Sequence, residues 1–189
     1  MLRGGKRLNN YLRRHLNNMK GYSLSDGDIS NILKEKTQII TYPELSNYND
    51  LNQLLGKSGR AIVLFLTDSN TNGHWISILR HNNHIEVFDS YGNEPSQWGK
   101  FLGGKMSVEP SQNISVLMKL LRTANMPVIY NNKAFQSKNY DVATCGRHVA
   151  VRCMMHRCDL GEYDKFISGC KGLSPDDLVT IITNEFIDK

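Results

Sequence analysis

The 189-residue sequence contains no long apolar run, and no stretch approaches the roughly eighteen residues that a membrane-spanning helix requires. The basic opening residues are not followed by an apolar segment, so a secretory leader and membrane association are both unexpected. There is no CxxC pair, and no Cys/His cluster has zinc-ligand spacing. The four cysteines, Cys145, Cys153, Cys158 and Cys170, all fall in the last quarter of the chain. That pattern fits free thiols in a reducing compartment, one reactive and the others packed as small hydrophobes. Internal repeats and low-complexity segments are also missing. Residues 1–20 hold no acidic side chain, yet they include Arg3, Lys6, Arg7, Arg13, Arg14 and Lys20. The formal charge of +5 therefore resides in this arm.

What is present describes one globular domain over residues 1–189, with residues 1–22 as a basic N-terminal helical arm. A hydrophobic content of 40% with 22% charged residues suits a packed core and argues against disorder. Leu8, Tyr11, Leu12, His15, Leu16 and Met19 recur at helical spacing up to Gly21. Ser25 and Asp28 mark a helix start for Ile29–Lys36, and Leu45–Leu55 predicts a short helix closed by Gly56. Ala61–Leu66 is a continuous apolar run, as in a strand covered on both faces. Trp75–Arg80 and His84–Asp89 predict a hairpin turning at Asn82-Asn83. Ile114–Thr123 predicts a helix, Pro127–Tyr130 a strand, Gly146–Cys158 a helix, and Pro175–Phe186 a helix capped by Ser174. The fold class is α+β, a central mixed or antiparallel sheet flanked by helices.

The hairpin brings chemistry with it. A turn centred on Asn82-Asn83 pairs residues whose numbers sum to 165, so His74 falls opposite Tyr91 and diagonal to Asp89 on one face. A carboxylate there would fix the imidazole tautomer and stabilise its protonated form. If a helix begins at Cys145, its thiol sits beside unpaired backbone N–H groups at the positive end of the helix dipole, which lowers a thiol pKa. Gly146 would let a substrate backbone approach, and the amide of Gln136 is a candidate oxyanion donor. Singly, each has a plainer reading: Cys145 as a buried small residue, Asp89 as a turn former, Gln136 as a surface amide. His148, one helical turn from Cys145, competes with His74 for the role of base. His15, His81, His84 and His156 read as surface or interface histidines.

Taken together, Gly73-His74-Trp75, Val87-Phe88-Asp89-Ser90-Tyr91-Gly92, Phe135-Gln136-Ser137 and Thr144-Cys145-Gly146 resemble the adenain family of cysteine proteases and their relatives, the proteases for SUMO-like modifiers. Those enzymes carry His, Asp or Glu, Gln and Cys in this chain order, a permuted counterpart of the papain order. The resemblance implies an adenain-like fold and four catalytic residues: His74 as base, Asp89 as its orienter, Gln136 as oxyanion donor and Cys145 as nucleophile. It makes Trp75 and Gly146 substrate-binding residues that wall a channel for a Gly-Gly backbone. The implied activity is a cysteine endopeptidase maturing viral capsid or core precursors with Gly-Gly-X sites, in the virion and in the infected-cell cytoplasm or nucleus of a DNA virus or virophage. The short chain favours this branch. The alternatives are an isopeptidase deconjugating SUMO-like or ubiquitin-like modifiers, an acyltransferase on the same fold, and a nucleic-acid-binding module built on the arm. No metal or organic cofactor is required, the resemblance admits DNA or an activating peptide as accessory, and the enzyme is expected to act as a monomer. Leu2-Arg3-Gly4-Gly5 is a candidate self-processing site, and Phe101-Leu102-Gly103-Gly104 a looser one.

Overall fold

The computed structural model describes residues 3–34, 37–66, 73–95 and 114–187, with the backbone alone for residues 3–9. A five-stranded mixed sheet runs β1 (Gln38–Thr41), β2 (Arg60–Leu66), β3 (Gly73–Arg80), β4 (Ile85–Asp89) and β5 (Val128–Tyr130), in that spatial order. The outer pairs are parallel and the two inner pairs antiparallel. β2 is buried along its whole length, as its unbroken apolar sequence demands. The β3–β4 register is the one the Asn82-Asn83 turn dictates, with Ile76 opposite Asp89 and Arg80 opposite Ile85.

Helices cover both faces. On one lie α2 (Asp26–Leu33), α5 (Cys145–Met154), α6 (Leu160–Gly169) and α7 (Pro175–Ile187), packed around Leu64, Trp75, Phe88, Val149 and Val179. On the other lie a 3-10 turn (Tyr42–Asn47), α3 (Leu51–Leu55) and α4 (Ile114–Thr123), packed around Val63, Ile76, Ile78 and Val87. Single helices in three places differ from the sequence expectation. Leu45–Leu55 is split because the Asp50 carboxylate caps a new helix by accepting from Gln53 N–H. α2 stops at Leu33, where Lys34 turns into the left-handed region. α5 ends at Met154 rather than Cys158, and Met154 is exposed.

The N-terminal helix α1 (Arg3–Lys20) follows the expected span. Its apolar stripe, however, is not fully docked: Tyr11 is 68% exposed and Leu12 56%, while Leu16 and Met19 are half-buried. Among its described residues, the ties to the body lie at the C-terminal end. Lys20 Nζ pairs with Asp177 at 2.7 Å, Arg147 donates to the Met19 carbonyl, and Ala143 N–H donates to the Lys20 carbonyl. Gly4 and Gly5 lie in the first turn of this helix, so cleavage after Gly5 requires that turn to unwind. The looser Gly-Gly site at 103–104 lies outside the described residues.

Helix α5 crosses the sheet and is pinned at both ends. At its C-terminal end the fully buried Arg152 makes a two-point bond to Glu86 of β4, both N···O distances being 2.7 Å. Its remaining donors go to the carbonyls of Met155 and Cys158, and the guanidinium lies 5.2 Å from the Tyr163 ring centroid. Burying two charges is tolerable only with this degree of hydrogen bonding. At the N-terminal end, Thr144 donates its hydroxyl to Asp176 of α7.

Candidate active site

The first residue of α5 is Cys145, a partly exposed free thiol at the N-terminus of the helix. Unpaired N–H groups converge there, and those of Gly146 and Trp75 lie close enough to lower the thiol pKa. β3 delivers His74 to the same point, close enough that the imidazole and the thiol each shift the other's pKa. The other side of the ring is fixed by β4: Nε2–H donates to Asp89 Oδ1 at 2.7 Å. Nδ1 is therefore the nitrogen left for the sulfur.

Electrostatics and geometry agree. Burial alone would push the His74 pKa down, but the Asp89 carboxylate and the Cys145 sulfur outweigh it and raise the value from 6.5 to about 10. Burial alone would likewise raise the Cys145 pKa above 9.0. The hydrogen bond and charge of His74, with the two backbone donors, bring it below that value instead. Asp89 is also desolvated, yet His74 and the N–H of Tyr91 hold its carboxyl below 3.8. The three groups thus favour a thiolate–imidazolium–carboxylate arrangement.

Asp89 is itself rigidly placed. Asn131 accepts from its backbone N–H at 2.8 Å and donates to its carbonyl at 2.6 Å. Gly92, at φ +71°, closes the turn after it by donating to the Asp89 carbonyl. A Cβ at Gly92 would also lie 2.6 Å from the Lys133 carbonyl carbon, so no other residue fits.

Gln136 is buried beside this turn. Ser90 accepts from the N–H of Gln136 and donates its hydroxyl to Gln136 Oε1 at 2.7 Å. The amide nitrogen donates to the Tyr91 hydroxyl at 3.2 Å and to the Val142 carbonyl at 3.3 Å. Gln136 is therefore no surface amide. Its donors face the loop that leads into Cys145.

The two residues expected to line a substrate channel are placed differently. Trp75 is only 6% exposed, and its indole N–H donates to the Leu24 carbonyl, so most of the ring belongs to the core. Gly146 faces that same core: a Cβ there would come within 3.0 Å of Leu24 and 3.2 Å of the Trp75 ring. The packing of α2 and Trp75 against α5 leaves little room for a side chain at this position.

His148, the competitor for the role of base, is engaged elsewhere. It is fully buried and bonds through Nε2 to Asp176 at 3.1 Å. Asp176 is a hub that composition concealed, since its second oxygen accepts from Ser137 N–H at 2.9 Å. One carboxylate thereby holds the residue before Cys145, the residue after Gln136, and His148. Tyr91 was also missed as a site residue. Its ring stacks on His74, as the register that sets the two opposite each other implies.

Comparison with known proteins gives the chain its relatives. The uncharacterized protein V9 of Sputnik virophage is 33% identical over 165 residues, which span 85% of this chain and 94% of that protein. The chain belongs to the V9 family. This gives it a virophage connection. No protein-family model matches the chain. Among solved structures, the central domain of the uncharacterized Lpg1148 protein from Legionella pneumophila superposes with a TM-score of 0.47 at 15% identity. That alignment covers 88% of this chain and 99% of the Legionella domain. Among the described residues, no helix is long and apolar enough to cross a membrane.

Proposed function

We propose that this member of the V9 family is an adenain-like cysteine endopeptidase that cleaves after Gly-Gly-type sites and matures viral capsid or core precursor proteins. One observation carries the reading: His74 joins the Asp89 carboxylate on one side and the thiol at the start of α5 on the other. A structural cysteine has no use for an imidazolium partner, whereas a nucleophile depends on one.

In the proposed reaction the Cys145 thiolate adds to the scissile carbonyl carbon. The oxyanion is held by the Cys145 backbone N–H and by the Gln136 amide, which turns one hydrogen away from its longer bond to the Val142 carbonyl. Protonated His74 gives its proton to the departing amine, leaving a thioester. Water deprotonated by His74 then releases the acid and restores the thiol. Asp89 keeps the ring oriented throughout. The basic arm α1, on which Arg13 and Arg14 are exposed, supplies a surface for nucleic acid, whose affinity should fall steeply with added salt.

The test is an activity assay on the full-length protein, comparing a Gly-Gly-X capsid-type peptide with a ubiquitin-like modifier bearing a C-terminal reporter, with and without DNA. Cleavage of the peptide that disappears in Cys145→Ala supports the reading. Exclusive turnover of the modifier reporter moves the protein to the deconjugating alternative. Inertness of both substrates, with a Cys145 that iodoacetamide ignores at neutral pH, removes the peptidase reading altogether.

A further inference from the structure

The opposite end of the same hairpin carries a second cluster with its own chemistry. His81 and His84 flank the Asn82-Asn83 turn, and Glu86 follows on β4. One ring nitrogen of each histidine and one Glu86 oxygen lie within 4.8 Å of one another. The imidazoles are stacked, with centroids 4.4 Å apart and planes 13° from parallel.

Two details point to a ligand. His84 Nδ1–H donates to the Asn83 side-chain carbonyl at 2.7 Å, which fixes the tautomer with a bare lone pair on Nε2. That Nε2 is buried and has no hydrogen-bond partner. An unprotonated ring nitrogen buried without a donor is costly, and a metal ion relieves the cost. A histidine whose other nitrogen is held by a carbonyl is also the usual posture of a metal ligand. His81 Nε2 lies 3.1 Å from Glu86 Oε2, an interaction that a cation replaces by taking the place of the shared proton. Arg152 already anchors the Glu86 carboxylate through both oxygens, so the carboxylate is oriented but partly neutralised.

We propose that His81, His84 and Glu86 form a binding site for a divalent transition ion of the zinc class, with water completing the coordination. Zinc–ligand bonds of about 2.0–2.1 Å in a tetrahedral site put neighbouring ligands roughly 3.3 Å apart. Binding therefore draws the two rings together and tilts them out of their stack, a movement the exposed Asn82-Asn83 turn accommodates. At about 3.3 Å per residue along β3, the ion lies roughly 20 Å from His74. Its role is to clamp the hairpin that sets the His74–Asp89 register, and it stands whether or not the peptidase reading does.

The experiment is zinc titration of the full chain carrying Cys145→Ala, which removes the thiol at α5 as a competing ligand. Calorimetry should show one equivalent of Zn2+ bound, with a rise in Tm on saturation. Adding His84→Ala or His81→Ala should abolish both signals; the first leaves every partner of Glu86 in place, and the second removes only the His81 contact, keeping both Arg152 bonds. Asn83→Ala, which frees the His84 tautomer, should weaken binding roughly 10–100-fold. No zinc binding by the Cys145→Ala protein, or binding that survives His84→Ala or His81→Ala, overturns the proposal.

Discussion

Tyr91 lies almost flat on the His74 imidazole, with ring centroids 4.9 Å apart and planes 23° from parallel. The same side chain receives the Gln136 amide on its hydroxyl, so one residue touches both the proposed base and the proposed oxyanion donor. A protonated imidazole gains from an aromatic face beneath it, and the stack restricts the ring to the orientation that serves Asp89 and Cys145 together.

Replacing Tyr91 by phenylalanine keeps the stack and deletes the hydroxyl contact, worth about 0.5–1.5 kcal/mol. Turnover should fall by up to roughly tenfold, with the pH profile unchanged. Tyr91→Ala loses the stack as well, so turnover should fall further and the alkaline limb of kcat/KM should move. Identical profiles for the two variants would show that the ring contact is idle.

Gln136→Ala removes the proposed oxyanion donor and should lower kcat by roughly two to three orders of magnitude. Its buried bonds to Ser90 and Val142 predict a loss of stability as well: stranding the Ser90 hydroxyl costs about 1–3 kcal/mol. Steady-state kinetics paired with thermal denaturation should register both losses.

The pH dependence follows from the two shifted groups. The thiolate–imidazolium pair exists above the lowered Cys145 pKa and below the His74 value of about 10, so activity should hold a plateau and decline near pH 10. His74 binds its proton more tightly folded than unfolded, so its contribution to stability is full below 6.5 and is lost as pH rises through about 10. Asp89 works in the other direction, contributing above 3.8 and failing as pH falls through its lowered folded value. Asp89→Asn removes the main support of the imidazolium and should shift the alkaline limb to lower pH. Alkylation rates of Cys145 measured across pH would reveal the same limbs without any substrate.

Exchanging each histidine separately distinguishes the base from its competitor. His74→Ala should abolish turnover and slow alkylation of Cys145, whereas His148→Ala should keep measurable turnover. The second variant leaves Asp176 short of one partner, so it should lower Tm and weaken the hold on Thr144. Loss of turnover in His148→Ala alone would reverse the assignment.

Much of this arrangement was legible because it is local. The Asn82-Asn83 turn fixes a parity, and the parity alone puts His74, Asp89 and Tyr91 on one face. What escaped notice depends on long separations or weak periodicity. Asp176 meets Thr144, Ser137 and His148 from 32, 39 and 28 positions away, and no pattern near Pro175 announces it. β1 has four residues and only partial burial, too short an alternation to read as a strand. α6 buries just Tyr163 and Ile167, although the reciprocal Asp159–Glu162 cap did mark its start. Trp75 was assigned to substrate through the resemblance, which carries no information on the indole's bond to the Leu24 carbonyl.

The attachment of α1 has a mechanical corollary. Ala143, two positions ahead of the sulfur, hangs its N–H on the last residue of the arm, and Arg147 grips the residue before it. There is no slack between the two. Tension on the arm, from whatever takes hold of its basic face, would reach the nucleophile's loop before it reached any strand.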